Sequence, residues 1–403
     1  MHSDRIAVKS MSNNAAAGPY PLAVNPYFSM ILLLSLAIWF HRCKPVQDDP
    51  HPLLTALHSE NPAIKKVMRQ PDAHEIQVIF SRINRQGDQI TFTDFGYQVD
   101  NDRYFYPASS VKLPIAVLAL EKLNSIDTLN RDTRFFVEGD TVVTSFAEDI
   151  SRVFAVSDNE ANNRLMEFLG QDAINEGVLD KGAGPIRISH RLGVHSDDVV
   201  TKPLLIYLND STTAPTHPIF NTAPKPLSLQ HIEKGRGYYE DDTLHSGPFD
   251  FSLKNYYPLT TQHEVLKRVI VPQAFPEEQR FHLSDGQRQF LLNAMQTLPR
   301  EAGYNEASYP DGYAKFFIIG DSPDRKPDYL HIFNKAGWAY GTLTDCAYIQ
   351  DTENGVEFLL SATILVNPNG IFNDDDYAYE ETGIPFLAAL GRVLYDMELQ
   401  QAK

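Results

Sequence analysis

Apolar positions change period several times along this chain, and each change marks an element. Residues 28–40 (FSMILLLSLAIWF) are almost wholly apolar, yet this run is shorter than the roughly 20 residues a membrane-spanning helix requires. Residues 53–69 read as helix, interrupted near Pro62. Residues 76–80 and 90–93 read as β-strands joined around Gly87-Asp88. A mostly helical middle is predicted from Ser109 to about Pro299, with helices over 115–123, 146–156, 160–170 and 260–266. Strands are predicted again over 315–319, 329–334, 344–350 and 357–366, and a final helix over 384–399. Strands from both ends with helices between them imply an α/β fold of the α+β, three-layer kind. One antiparallel sheet would be flanked by terminal helices, with an inserted all-helical subdomain. Residues 51–105 and 315–403 would form the sheet part and residues 106–314 the helical part, which includes a long loop over 187–259.

Composition narrows the class. The chain has 403 residues, 43% of them hydrophobic, enough to bury a large core. A formal net charge of −17, with no Lys- or Arg-rich run, argues against a nucleic-acid partner. Two cysteines, Cys43 and Cys346, are too few for a disulfide framework, and Cys346 reads as a plain buried residue. Residues 1–50 read as signal or anchor plus tether. The apolar run suits a secretory signal, with Arg5 and Lys9 ahead of it and Cys43 close behind, where a lipidated cysteine would sit. Phe40-His41-Arg42 are not the small residues that usually precede such a cysteine. The expectation is an exported protein, periplasmic or membrane-anchored, and a monomer.

The chemistry lies in three short stretches. In Ser109-Ser110-Val111-Lys112, serine and lysine are three apart at the start of a helix, so hydroxyl and amine share a face. A lysine partly stripped of water can then take the serine proton. Ser157-Asp158-Asn159 opens a second helix, and Lys335-Ala336-Gly337 follows the strand read over 329–334. Each alone is commonplace: a helix start, an N-cap cluster, a strand ending in a turn glycine. Together, S-x-x-K, S-D-N and a K-[ST]-G-like triplet in that order resemble the class A β-lactamase-like, penicillin-recognising serine hydrolases. The likeness extends to Val156, Glu160, Ala161, Asn162 and Asn163 around the second motif, and to Gly341, Thr342 and Asp345 after the third.

That resemblance implies roles. Ser109 would be the nucleophile that forms an acyl-enzyme, and Lys112 would help remove its proton. Ser157 would relay a proton to the leaving nitrogen, with Lys335 keeping the local potential positive. Asn159 would orient the substrate amide, and Asp158 would pin its own turn. The backbone N–H groups of Ser109 and Trp338 would form the oxyanion hole, with Gly337 and Thr342 in the substrate site. The substrate would be a β-lactam or a peptidoglycan-like peptide. No metal or cofactor is called for, and His190 and His195 have no third ligand nearby in sequence.

Two departures bear on function. Ala336 stands where the family carries a hydroxyl that contacts the substrate carboxylate, leaving Lys335 and Thr342 for that contact. Residues 186–259 hold no E-x-x-x-N, the family's signature for activating the deacylating water. Glu233, Glu240, Asp241, Asp242 and Asp250 are the acids available there to replace it. Slow deacylation follows, which keeps a DD-peptidase or an esterase beside the β-lactamase reading, and a non-catalytic sensing module behind both. The aromatic, Pro-rich stretch 206–257 reads equally well as a lid over the site and as a packed decoration.

Overall fold

Hydrogen-bonding side chains and prolines set the local boundaries before any packing is considered. The computed structural model describes residues 51–194 and 198–402, so the leader, residues 28–40, Cys43 and His195 lie outside the described residues. Helices α1 (Pro52–Leu57) and α2 (Pro62–Met68) replace one predicted helix. Pro62 sits at the first helical position, and Asn61 accepts the Ala63 N–H at 3.0 Å, so the chain restarts there. Strands β1 (Gln77–Gln86) and β2 (Gln89–Tyr97) form a hairpin whose two-residue loop has Gly87 at φ +59°.

The middle holds α3 (Lys112–Asn124), β3 (Arg134–Val137), β4 (Thr144–Ser145), α4 (Phe146–Ala155), α5 (Asn159–Leu169) and α6 (Gln171–Asp180). Ser145 and Glu148 close a capping box at the start of α4. Short strands follow: β5 (Leu204–Tyr207), β6 (Thr213–Pro215), β7 (Glu233–Lys234), β8 (Gly237–Glu240), β9 (Thr243–Ser246) and β10 (Phe249–Asp250). Then come α7 (Leu259–Ile270) and α8 (Asp285–Gln296), strands β11 (Leu330–Asn334), β12 (Gly337–Ala339), β13 (Thr342–Asp351), β14 (Val356–Leu365) and β15 (Ile371–Phe372), and the closing helix α9 (Ile384–Ala402). The main sheet is antiparallel, in the order β11-β13-β14-β1-β2, with β12 also paired to β13.

Side chains alternate across this sheet. Phe358, Leu360, Ala362 and Ile364 of β14 face a core shared with α1, α2 and α9. Leu359, between them, joins the second core, built with α3 to α8. Phe386, Leu387, Leu390 and Leu394 of α9 are fully buried, each contributing about 1.5–3 kcal/mol of apolar burial. Among the described residues no helix is long and apolar enough to cross a membrane.

Two expectations need correction. Residues 315–319 are not a strand. Their run Phe316-Phe317-Ile318-Ile319 is buried under α9 as a turn segment, with Ile318 at φ +68°. Its backbone groups go to side chains instead of a ladder: Asp345 Oδ2 accepts the Phe316 N–H at 3.0 Å, and Arg392 donates to the Ile318 carbonyl at 2.6 Å. The middle is also less helical than predicted, since β3 to β10 build three small sheets there together with β15. Their short apolar runs each satisfy only a hairpin edge, too little to register as a period.

Candidate active site

The first motif folds as one tight turn feeding a helix. Residues Ala108–Val111 are 3-10, and the Lys112 N–H bonds the Ser109 carbonyl, so residues 109 and 112 stack on one face. Ser109 is half-buried and lines a cavity of about 420 Å3. Lys112 is fully buried. It bonds the Ser157 carbonyl, the Asn159 Oδ1 at 2.7 Å and the Ser157 Oγ at 3.3 Å. These contacts occupy all three donors of an ammonium. Burial, helped by the Lys335 charge, pushes the Lys112 pKa well below that of an ordinary lysine, against a smaller opposing pull from Asp158.

The second motif is a turn with Ser157 at φ +58°, followed by an N-cap in which Asp158 accepts the Ala161 N–H at 3.0 Å. Asp158 thus pins its own turn. Because Asn159 Oδ1 accepts from Lys112, its amide nitrogen faces the opposite way, toward Gly193. A Cβ on Gly193 would lie 2.7 Å from Asn159 Nδ2, and Gly193 has φ +70°. Only glycine fits there.

The third motif interrupts the edge strand between β11 and β12. The Lys335 N–H bonds the Cys346 carbonyl at 3.2 Å, which fixes 335/346, 337/344 and 339/342 as the hydrogen-bonded pairs. Trp338, opposite Leu343, is then a non-bonded position, and its N–H points away from β13. The strand edge it faces abuts the first motif: a Cβ on Gly337 would stand 2.6 Å from the Ser109 nitrogen and 2.8 Å from that of Ser110. The Ser109 N–H is one of the donors left without a partner at a helix start. Two backbone donors therefore flank Ser109, the arrangement an oxyanion requires.

Lys335 is buried and donates to Ser157 Oγ at 2.9 Å and to the Ala336 carbonyl at 2.6 Å. Burial and the nearby Lys315 lower its pKa to about 7, with Asp345 opposing. Ser157 Oγ thus bridges two buried amines, each contributed by a different motif. Ala336 is fully buried in the α9-side core, so its methyl group is outside the cavity. Thr342, paired with Ala339 across the ladder, is buried on β13 and does not line the cavity either.

Residues 62–216 match the model of the β-lactamase enzyme family. Over those residues the chain is similar to that family. Solved structures with the same fold include a β-lactamase from Burkholderia vietnamiensis, 14% identical with a TM-score of 0.50, covering 84% of this chain and 98% of that one. Another is L2 complexed with relebactam, 13% identical with a TM-score of 0.50, covering 86% and 98%. At such identities the likeness is one of fold. No curated protein matches the sequence.

The β-lactamase-like site has walls that the motifs did not announce. Tyr106, Tyr340, Tyr377, Tyr379, Leu192, Asn373 and Asp375 line it with Ser109, Asn159 and Trp338. Tyr106 and Tyr340 meet edge to face at 4.8 Å, tying the first motif to the third. Tyr340 at φ +53° and Gly341 at φ +70° form a left-handed two-residue turn, and the Tyr379 hydroxyl accepts the Gly341 N–H at 2.8 Å. Ala108, Ser157 and Tyr340, one beside each motif, all hold positive φ without being glycine. Such conformations persist only where the surroundings over-determine them.

A second cavity, about 870 Å3, shares Tyr106, Gly193, Tyr340 and Asn373 with the first. The 206–257 stretch forms much of its wall through Tyr239, Glu240, Asp241, Asp242, Phe249 and Lys254. His190, also in this wall, contacts the Arg191 carbonyl through Nδ1 and accepts the Asn255 N–H at Nε2. Burial lowers its pKa to about 4, so it stands as a neutral, fully engaged ring. Glu233 and Asp250 lie on β7 and β10, outside both cavities.

Proposed function

We propose that the chain is a serine hydrolase of β-lactamase type that opens β-lactam or related amide bonds through an acyl-enzyme at Ser109. The observation that carries this reading is Ser157 Oγ held between Lys112 and Lys335, in a turn beside the Ser109 cavity. Lys112, its pKa lowered by burial, takes the Ser109 proton as Oγ attacks the carbonyl carbon. The developing oxyanion is met by the N–H groups of Ser109 and Trp338. Ser157 then passes a proton to the leaving nitrogen, and the charge of Lys335 favours that delivery. The Asn159 amide, held by Lys112, presents its N–H to the substrate.

The lack of an E-x-x-x-N in residues 186–259 favours a DD-peptidase or an esterase with slow deacylation as the second reading. Export remains part of the proposal and rests on the apolar run at 28–40. Full-length protein incubated with a chromogenic cephalosporin, followed by intact mass, tests the reading. A Ser109-dependent adduct is expected. An adduct that also forms on Ser109→Ala would contradict it.

A further inference from the structure

Hydrolysis of an acyl-enzyme needs a base for the attacking water, and the loop that supplies it in the resembled family lacks the expected pair. The described walls of the Ser109 cavity offer few candidates. The four tyrosines are held in the protonated form by burial, which raises each of their pKa values. Asn159 and Asn373 are amides and do not accept a proton. Lys112, which donates to Ser157 and Asn159, is already assigned the Ser109 proton in the acylation step. Among the described lining residues, one carboxylate remains, Asp375.

Its neighbours are tied down and it is not. Asn369 donates to Asp374 at 2.8 Å and to Asp376 at 3.3 Å, Asp374 accepts the Asp376 N–H at 3.1 Å, and the Tyr377 hydroxyl accepts the Asn373 N–H at 2.9 Å. These bonds hold the segment after β15 in place against the cavity, while the Asp375 carboxylate has no hydrogen bond among the described residues. Its two oxygens are therefore available to a water in the cavity.

The geometry points to Asp375 as the catalytic base of deacylation, acting from the wall of the Ser109 cavity. The inference rests on the acyl-enzyme reading above. In the step, the water oxygen forms a bond to the ester carbonyl carbon as Asp375 takes one of its protons. The tetrahedral intermediate then collapses, the bond from carbon to Ser109 Oγ breaks, and the proton passes from Asp375 to Ser109 Oγ. Water is consumed, the acid is released and both side chains return to their starting states.

The test is a pre-steady-state time course of full-length protein with a chromogenic cephalosporin, read by absorbance and intact mass, for wild type, Asp375→Asn and Asp375→Glu. The expected result is an adduct that forms within about twofold of the wild-type rate in Asp375→Asn but clears about 100-fold or more slowly. Asp375→Glu should restore part of the clearance. Clearance of the Asp375→Asn adduct at the wild-type rate would overturn the assignment and return the base to Lys112. A wild-type adduct that never clears would overturn it as well. If wild type forms no adduct at all, the Ser109 reading itself falls and takes this inference with it.

Discussion

Two buried lysines on one serine hydroxyl make protonation the central variable at the level of single residues. In the proposed mechanism Lys112 works as a base only when neutral, and Lys335 favours proton delivery only when charged. Acylation should therefore follow a bell in pH whose alkaline limb lies near the Lys335 value of about 7. Lys335→Arg keeps its charge at all accessible pH, so the alkaline limb should move up by two units or more, read as adduct formation rate against pH. A limb that stays in place would assign it to another group.

His263 offers a separate reading of protonation through stability. It is fully buried, bridges Ser81 at 2.7 Å and Ser361 at 2.8 Å, and burial brings its pKa down to about 3, from an unfolded value near 6.5. Between those values the unfolded chain binds a proton that the folded one refuses, so stability is full above 6.5 and falls as pH drops toward 3. His263→Gln should flatten that part of the curve in denaturant titrations at pH 4 to 7.

Most of the site's residues were legible in sequence because their chemistry needs short, fixed spacings. Ser109 and Lys112 share one turn, Ser157 to Asn159 another, and Lys335 lies at a strand end. Asp375, Tyr377 and Tyr379 were not legible. They reach the cavity through the path of the chain after β14, which no local spacing encodes. The only signal was the density of acids and tyrosines in residues 373–380.

Elements position these residues through a small number of strong ties. Arg164 of α5 holds Asp149 of α4 with bonds of 2.9 and 2.6 Å, and the two side chains are 5% and 0% exposed. Helix α5 begins at Asn159, so this pair fixes the second motif from behind. Arg164→Met leaves a buried charge without its partner and should cost about 3–5 kcal/mol, seen as a lower denaturant midpoint. The double variant Arg164→Met with Asp149→Leu should recover much of that loss. At this scale the sequence misled at residues 315–319, where four consecutive apolar residues looked like a strand. Packing under α9 and capture of the Phe316 N–H by Asp345 satisfy that segment without a ladder partner. Both interactions join parts of the chain far apart in sequence.

For the molecule as a whole, the 206–257 stretch is joined to the active site, so the lid-or-decoration choice resolves toward a cavity wall. Phe251 is fully buried and its ring lies 6.0 Å from Tyr106 and 5.4 Å from Tyr340. It therefore touches one residue beside the first motif and one beside the third. Phe251→Ala should cost about 3–5 kcal/mol of stability and also slow acylation at temperatures where the protein stays folded. A loss of stability with unchanged acylation would make the stretch a scaffold only. The antiparallel sheet and terminal helices were readable from where strands and helices fell along the chain, whereas this docking was not, because it depends on aromatic contacts between distant segments.

The account stands on Ser109 becoming acylated, and the most direct measurement is an intact-mass time course of the full-length protein with a chromogenic cephalosporin beside Ser109→Ala. The account predicts one adduct per chain, localised to Ser109 by peptide mapping and absent from the variant. No adduct in the wild type, or an equal adduct in the variant, would contradict it.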